Sequence, residues 1–186
     1  MKCKENNVYD HLYKDTTYGD INASFGYKLT DLALNTIKFK TVLDVGCGSG
    51  YAVLRFLIAG KTVKGIETSK YLVNERLKQL TDLQITGYGS ILDIPFNNDT
   101  FDLVYCTEVL EHLEEKDIEN ALSQLVRVSN KYIFCTVSFV PSEFAEDLHL
   151  TVKDSEWWDT QFDKFRIKSI KKNLAKTGGI YVFKKY

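Results

Sequence analysis

Short apolar runs alternate with stretches of helical spacing along most of this chain, and that alternation predicts strand–helix–strand units in a mostly parallel sheet covered on both faces. Strands are expected at 41–45, 62–67, 84–88, 101–106 and 132–137. Between them the pattern predicts helices over about 51–59, 70–80 and 117–128. An earlier helix, 27–37, follows from Leu29, Leu32, Ala33 and Thr36 at helical spacing, and it is expected to cover one side of a crevice. Gly60 and Gly87 stand at element ends, where a left-handed backbone is useful. Beyond Pro141 the order is a loop, a short helix near 155–162 and strands near 165–171 and 179–184. The last two are close enough to make an edge hairpin through Thr177, Gly178 and Gly179.

Size and composition narrow the class. With 186 residues, 44% hydrophobic and 26% charged, the chain is expected to be a single globular domain, 1–186. Its parts would be an N-terminal arm and helix (1–40), a core (41–137) and a loop with C-terminal strands (138–186). No apolar run is long enough to cross a membrane, and the first residues lack the pattern of a secretory signal, so a cytoplasmic location is expected. Cys3, Cys47, Cys106 and Cys135 form no C-x-x-C pair, which predicts neither disulfide nor zinc. Residues 164–186 hold seven Lys and one Arg without an acid, whereas 108–119 are rich in Glu. The basic end can meet phosphates, but lysines on an edge strand also guard against aggregation.

The segment from Val42 to Gly50 is an apolar strand running into a glycine-rich turn that opens a helix. Glycines let a backbone turn sharply and approach a ligand, and the helix N-terminus supplies unpaired N–H groups. The pattern is D-x-G-x-G-x-G, with Asp44 ahead of Gly46, Gly48 and Gly50. A carboxylate there repels a pyrophosphate but suits a cationic amino group. Glu67 ends the second strand, where its two oxygens can accept hydrogen bonds from both hydroxyls of a ribose.

At these residues the chain resembles the class I methyltransferases that use S-adenosylmethionine (SAM), in the broad small-molecule group. The resemblance extends over 41–137 and includes the stretches from Gly89 to Phe96, Thr100 to Val104 and Glu108 to Leu113. It implies a Rossmann-like sheet of seven strands, mostly parallel with an antiparallel edge hairpin, whose last-but-one strand in sequence lies at the edge. SAM would lie across the carboxyl ends of the first strands and give up its methyl group by direct displacement. By this resemblance Asp44, Gly46, Cys47, Gly48 and Gly50 would hold the methionine part, and Glu67 with Thr68 the ribose. Ser90, Ile91 and Leu92 would face the adenine. Ser90 is a departure, since relatives often carry Asp there. Cys106 and Thr107 would line the methyl-donor side.

Transfer to a hydroxyl also needs a base, and histidine suits that task near neutral pH. His112 and His149 follow the fourth and fifth strands, at the crevice, while His11 lies in the N-terminal arm. Tyr18, Glu108 and Trp157 are candidate substrate contacts, with one of Trp157 and Trp158 expected in the core. Glu108, Glu111 and His112, at i, i+3 and i+4, would share a face on one helical turn, and with His149 they offer two carboxylates and two imidazoles to Mg²⁺ or Mn²⁺. That set resembles the metal-dependent methyltransferases acting on the terminal ribose of small RNAs. Three readings follow: O-methylation of a small metabolite, sugar or glycan precursor without a metal; metal-dependent RNA 2′-O-methylation; and a non-catalytic SAM-binding subunit that regulates a partner.

Overall fold

In a computed structural model, which describes residues 9–10, 13–14, 26–143 and 148–186, the run Thr41–Val45 forms strand β1 with Val42, Leu43, Asp44 and Val45 all buried. An almost continuous apolar run is what a strand covered on both faces requires. Strand β2 (Thr62–Glu67) pairs with β1 in parallel, Asp44 opposite Gly65 and Val45 opposite Ile66. Strand β3 (Thr86–Tyr88) adds in parallel to β2. Parallel neighbours need a crossover, and helix α2 (Tyr51–Ile58) supplies the one between β1 and β2, burying Val53 and Phe56. Phe39 meets Phe56 edge to face, 5.7 Å between ring centres. Helix α1 (Gly26–Thr36) is tied to α2 by Arg55 and Asp31, 2.6 Å apart.

Three expectations in this first unit, which ends at Ser90, need correction. The helix expected over 70–80 is a π-helical turn, Leu72–Arg76, followed by the short helix α3 (Lys78–Asp82). The Leu77 N–H reaches back five residues to the Leu72 carbonyl at 2.8 Å, and the inserted residue lets Leu72, Val73 and Leu77 all be buried. Strand β3 starts at Thr86 because Gln84 turns through φ 56° and its N–H is held by the Thr81 carbonyl. Gly87 is an extended strand residue opposite Ile66, whereas Gly60 does take a left-handed φ of 73°.

The second unit, Ile91–Tyr186, is built on β4 (Phe101–Thr107) and β5 (Ser129–Ser138), which pair in parallel. Helix α4 (Ile118–Val128) connects them and buries Ile118, Ala121, Leu122, Leu125 and Val128, an apolar stripe of helical period. After α5 (Ser155–Phe162) come β6 (Ile167–Leu174) and β7 (Gly178–Lys185), with β7 antiparallel to both β5 and β6. The last-but-one strand therefore lies at the edge, as the resemblance implies. The hairpin turn, 175–177, lies two residues earlier than expected: Gly178 and Gly179 are already in β7, opposite Ser138 and Val137. A Cβ on Gly178 would come within 2.8 Å of the Val137 carbonyl oxygen. Trp158, Phe162, Tyr181 and Phe183 pack between α5 and β7. The exposed edge, β6, is broken by a bulge between Ser169 and Lys171 and carries Lys168, Lys171 and Lys172, features that discourage strand addition.

The strand order, β3-β2-β1 in the first unit and β4-β5-β7-β6 in the second, is that of a seven-stranded Rossmann-like sheet with six parallel strands and one antiparallel. No helix among the described residues is long and apolar enough to cross a membrane.

Candidate active site

In the first unit the end of β1 runs into a turn in which Gly46, Gly48 and Gly50 take φ values of 71°, 52° and 79°. Such angles cost residues with a Cβ about 1–2 kcal/mol each, so three in five positions account for the glycine spacing. Gly50 is the N-cap of α2 and makes no side-chain cap; a Cβ there would meet Leu77 at 2.6 Å. The N–H groups of Gly46 and Cys47 are taken up by the Ile66 carbonyl at 2.9 and 3.0 Å, which pins the turn to β2.

Two acids face this turn. Glu67, at the end of β2, is buried; its Oε2 accepts the Gly48 N–H at 2.8 Å and its Oε1 accepts the Ser69 N–H at 2.9 Å. Thr68, half-buried, turns its hydroxyl towards the same carboxylate. Burial raises the Glu67 carboxyl above its ordinary range, against the hydrogen bonds that favour its charged form. Asp44 is pushed up to about 8, first by burial and then by Glu67. Its Oδ2 is buried with no hydrogen-bond partner. An orphaned carboxylate oxygen in a closed site is costly unless a donor arrives, and a cationic ammonium group supplies one along with the missing counter-charge. The residues present therefore fit the amino end of SAM. Burial, then Asp44 and Glu67, also raise the Cys47 thiol, so it packs as a small hydrophobe. Ser90 is half-buried just past β3.

The second unit carries the other expected residues. Ile91 is buried and Leu92 half-buried; Cys106 is buried near the end of β4 and Thr107, the last residue of that strand, is half-buried. Glu108 is exposed and takes a left-handed φ of 55°. Only then does a 3₁₀ turn, Leu110–His112, begin, so Glu108, Glu111 and His112 do not lie on a single α-helical turn as the spacing predicts. The end of β5 organises them instead. The Thr136 hydroxyl donates to Glu108 Oε1 at 2.7 Å and accepts the Glu108 N–H at 3.1 Å, and the Ser138 N–H donates to Glu111 Oε1 at 3.0 Å.

Glu111 is fully buried, its Oε2 has no partner, and burial followed by the nearby Glu108 holds its carboxyl well above the ordinary range. His112 Nδ1 lies 2.8 Å from the Leu148 carbonyl oxygen and His149 Nδ1 lies 2.7 Å from that of Val140. A carbonyl only accepts, so both Nδ1 atoms carry a proton. The two rings meet edge to face, 4.8 Å between centres. One ligating atom from each of Glu111, His112 and His149 lies within 4.8 Å of the others; Glu108 is not one of this trio. His112 is pushed down to about 4, mainly by burial, so it is neutral in ordinary buffers.

Trp157 is half-buried and Trp158 is core, their rings 5.0 Å apart and edge to face. With Glu115, Lys116, Glu119, Gln161 and Lys164, Trp157 lines an open groove of about 500 Å³ that none of His112, His149, Glu108 and Glu111 borders. Tyr18, His11 and Cys3 lie outside the described residues. Cys47, Cys106 and Cys135 are buried and unbridged. Thr136, Ser138, Ser69 and the carbonyls of Val140 and Leu148 went unsuspected in the sequence. A backbone carbonyl leaves no trace there, and a Thr or Ser at a strand end is too common to single out.

Residues 43–132 match the family model for a methyltransferase domain. An uncharacterized methyltransferase of Anoxybacillus flavithermus is 29% identical over 168 residues, covering 86% of this chain and 74% of that protein. The next four relatives are covered over only 53 to 61% of their own length. A ubiquinone biosynthesis O-methyltransferase of Pseudomonas putida is 31% identical over 113 residues, covering 56% of this chain and 47% of that protein. Among solved structures, the magnesium protoporphyrin IX methyltransferase of Synechocystis with bound SAM superposes with a TM-score of 0.72 at 13% identity, covering 97% of this chain and 95% of that one. With the acidic glycine turn, the orphaned Asp44 oxygen and the strand order, these matches identify residues 43–132 as a methyltransferase domain and support a class I SAM-dependent methyltransferase.

Proposed function

We propose that this chain transfers the methyl group of SAM to a hydroxyl oxygen of a small metabolite, sugar or glycan precursor. When bound, SAM supplies an electrophilic methyl carbon on a sulfonium. Asp44, Gly46, Cys47, Gly48 and Gly50 hold the methionine end in this reading, Glu67 and Thr68 the ribose, and Ser90, Ile91 and Leu92 the adenine. Cys106 and Thr107 line the donor side. Glu108, Trp157 and Tyr18 are the proposed acceptor contacts.

One observation supports the choice of a hydroxyl: the His149 imidazole, its Nδ1 held by the Val140 carbonyl just beyond β5, leaves Nε2 to face an acceptor in this reading. An alcohol is a weak nucleophile until its proton is taken, and the Nε2 lone pair of His149 is the proposed acceptor. His112, held near 4, is too weak a base near neutrality and orients its neighbour instead. The resemblance to a ubiquinone O-methyltransferase supports the same class of acceptor.

A second reading, transfer to a ribose 2′-hydroxyl of RNA with a divalent cation, is favoured by the trio Glu111, His112 and His149 and by the partnerless Glu111 Oε2. A carboxylate with two imidazoles suits Mn²⁺, or Mg²⁺ with retained waters. The test is incubation with labelled SAM and metabolite or RNA extracts, with and without a chelator, read by mass spectrometry. Labelled small molecules that survive chelation support the first reading. Label in RNA that a chelator abolishes supports the second, and tight SAM binding with no labelled product identifies a non-catalytic subunit.

A further inference from the structure

Asp10, far ahead of β1 in sequence, is bonded into the segment that carries Glu67. Its Oδ1 accepts the Ser69 hydroxyl at 2.6 Å and the Tyr71 N–H at 3.0 Å. The Ser69 oxygen in turn accepts the Leu72 N–H at 3.2 Å, and the Ser69 N–H donates to Glu67 Oε1. Ser69 is fully buried, and its hydroxyl has one donor bond and one acceptor bond in use. Tyr13, also buried, places its hydroxyl 3.3 Å from where a Cβ of Gly48 would stand. Gly48 is the residue whose N–H reaches Glu67 Oε2. Two residues of the N-terminal arm thus converge on the carboxylate and the glycine assigned to the cofactor.

We propose that Asp10 and Tyr13 are part of the cofactor site, Asp10 as a positioning residue that holds Glu67 through Ser69, and Tyr13 as the wall of the glycine turn at Gly48. The inference rests on the reading of this crevice as the SAM site. A carboxylate that accepts two ribose hydroxyls must keep both oxygens aimed, and burial already works against its charged form. Removing the Asp10 carboxylate strands the buried Ser69 hydroxyl proton and the Tyr71 N–H, and the turn that fixes Glu67 loosens. Asn at position 10 keeps an oxygen that accepts both bonds.

The test is calorimetric titration of SAM into wild-type protein, Asp10→Ala, Asp10→Asn, Tyr13→Ala, Glu67→Gln and the Asp10→Ala/Glu67→Gln pair. Asp10→Ala is expected to weaken binding about tenfold, the loss of one hydrogen-bonding group acting on a charged one. Asp10→Asn should restore most of it, and Tyr13→Ala should weaken binding severalfold. In the Glu67→Gln background Asp10→Ala should add nothing further, because its effect runs through that carboxylate. Merely structural docking of the arm would lower the melting temperature and leave the affinity of the folded protein alone. Wild-type affinity in Asp10→Ala, or effects of Asp10→Ala and Glu67→Gln that add in full, overturn this inference while the SAM reading stands. A wild-type protein that takes no SAM overturns that reading and this inference together. Should Asp10→Ala fail to fold, Asp10→Asn and Tyr13→Ala decide: a SAM affinity of Tyr13→Ala equal to wild type overturns the role of the arm.

Discussion

Asp44 and Glu67, at the ends of the neighbouring parallel strands β1 and β2, are two buried acids, and burial, followed by the nearby Glu67, pushes the Asp44 carboxyl up to about 8. Without a ligand Asp44 is therefore protonated at neutral pH. A folded-state pKa above the unfolded value of about 3.9 means a stabilising contribution that is full below that value and is lost as pH rises through about 8. The ligand-free protein should lose stability over that window, and Asp44→Asn should flatten the dependence in thermal melts taken across pH. Arrival of a cationic amino group reverses the preference. SAM binding should release a proton near pH 7, seen as a binding heat that changes with the ionisation enthalpy of the buffer, and Asp44→Asn should abolish that release.

Side-chain removal at the same pair tests the site itself. Asp44→Ala and Glu67→Ala should each weaken SAM binding by about tenfold or more, since each deletes a charged hydrogen-bonding group. Calorimetry that returns unchanged affinities for both variants refutes the assignment.

The imidazole pair separates base from ligand. His149→Ala should lower turnover by a factor on the order of 10²–10⁴ with SAM affinity intact if it accepts the hydroxyl proton. With the second reading, a chelator should bring activity down in the wild type, and added Mn²⁺ should restore it in the wild type and not in Glu111→Gln. Turnover in His149→Ala equal to wild type removes the residue from both schemes.

Gly50→Ala should destabilise the protein without removing any functional group. Its φ of 79° costs an L-residue about 1–2 kcal/mol, and the new methyl would press on Leu77 at 2.6 Å. A loss of about 2–4 kcal/mol in denaturant unfolding is expected. An unchanged midpoint would mean that the turn relaxes freely and that glycine is there for ligand approach alone.

The sequence by itself determined the strand and helix alternation, the two acids and the glycine turn, because each is written in local spacing or in a motif tied to one backbone shape, whereas the edge position of the last-but-one strand followed only from the family resemblance. The helix expected near 155–162 and the strand expected at 41–45 stand there as α5 and β1. Local spacing failed where packing chose among equal options: the π turn at Leu72–Arg76 exists to bury three side chains at once, and Glu108 leaves its expected helical turn to be held by Thr136. Only the tertiary structure joined His112 to His149, Glu111 to Ser138 and Asp10 to Ser69. Those contacts span between 27 and 59 positions of chain, and what selects them is the saturation of buried donors and acceptors, a condition on neighbours in space that no window of sequence contains.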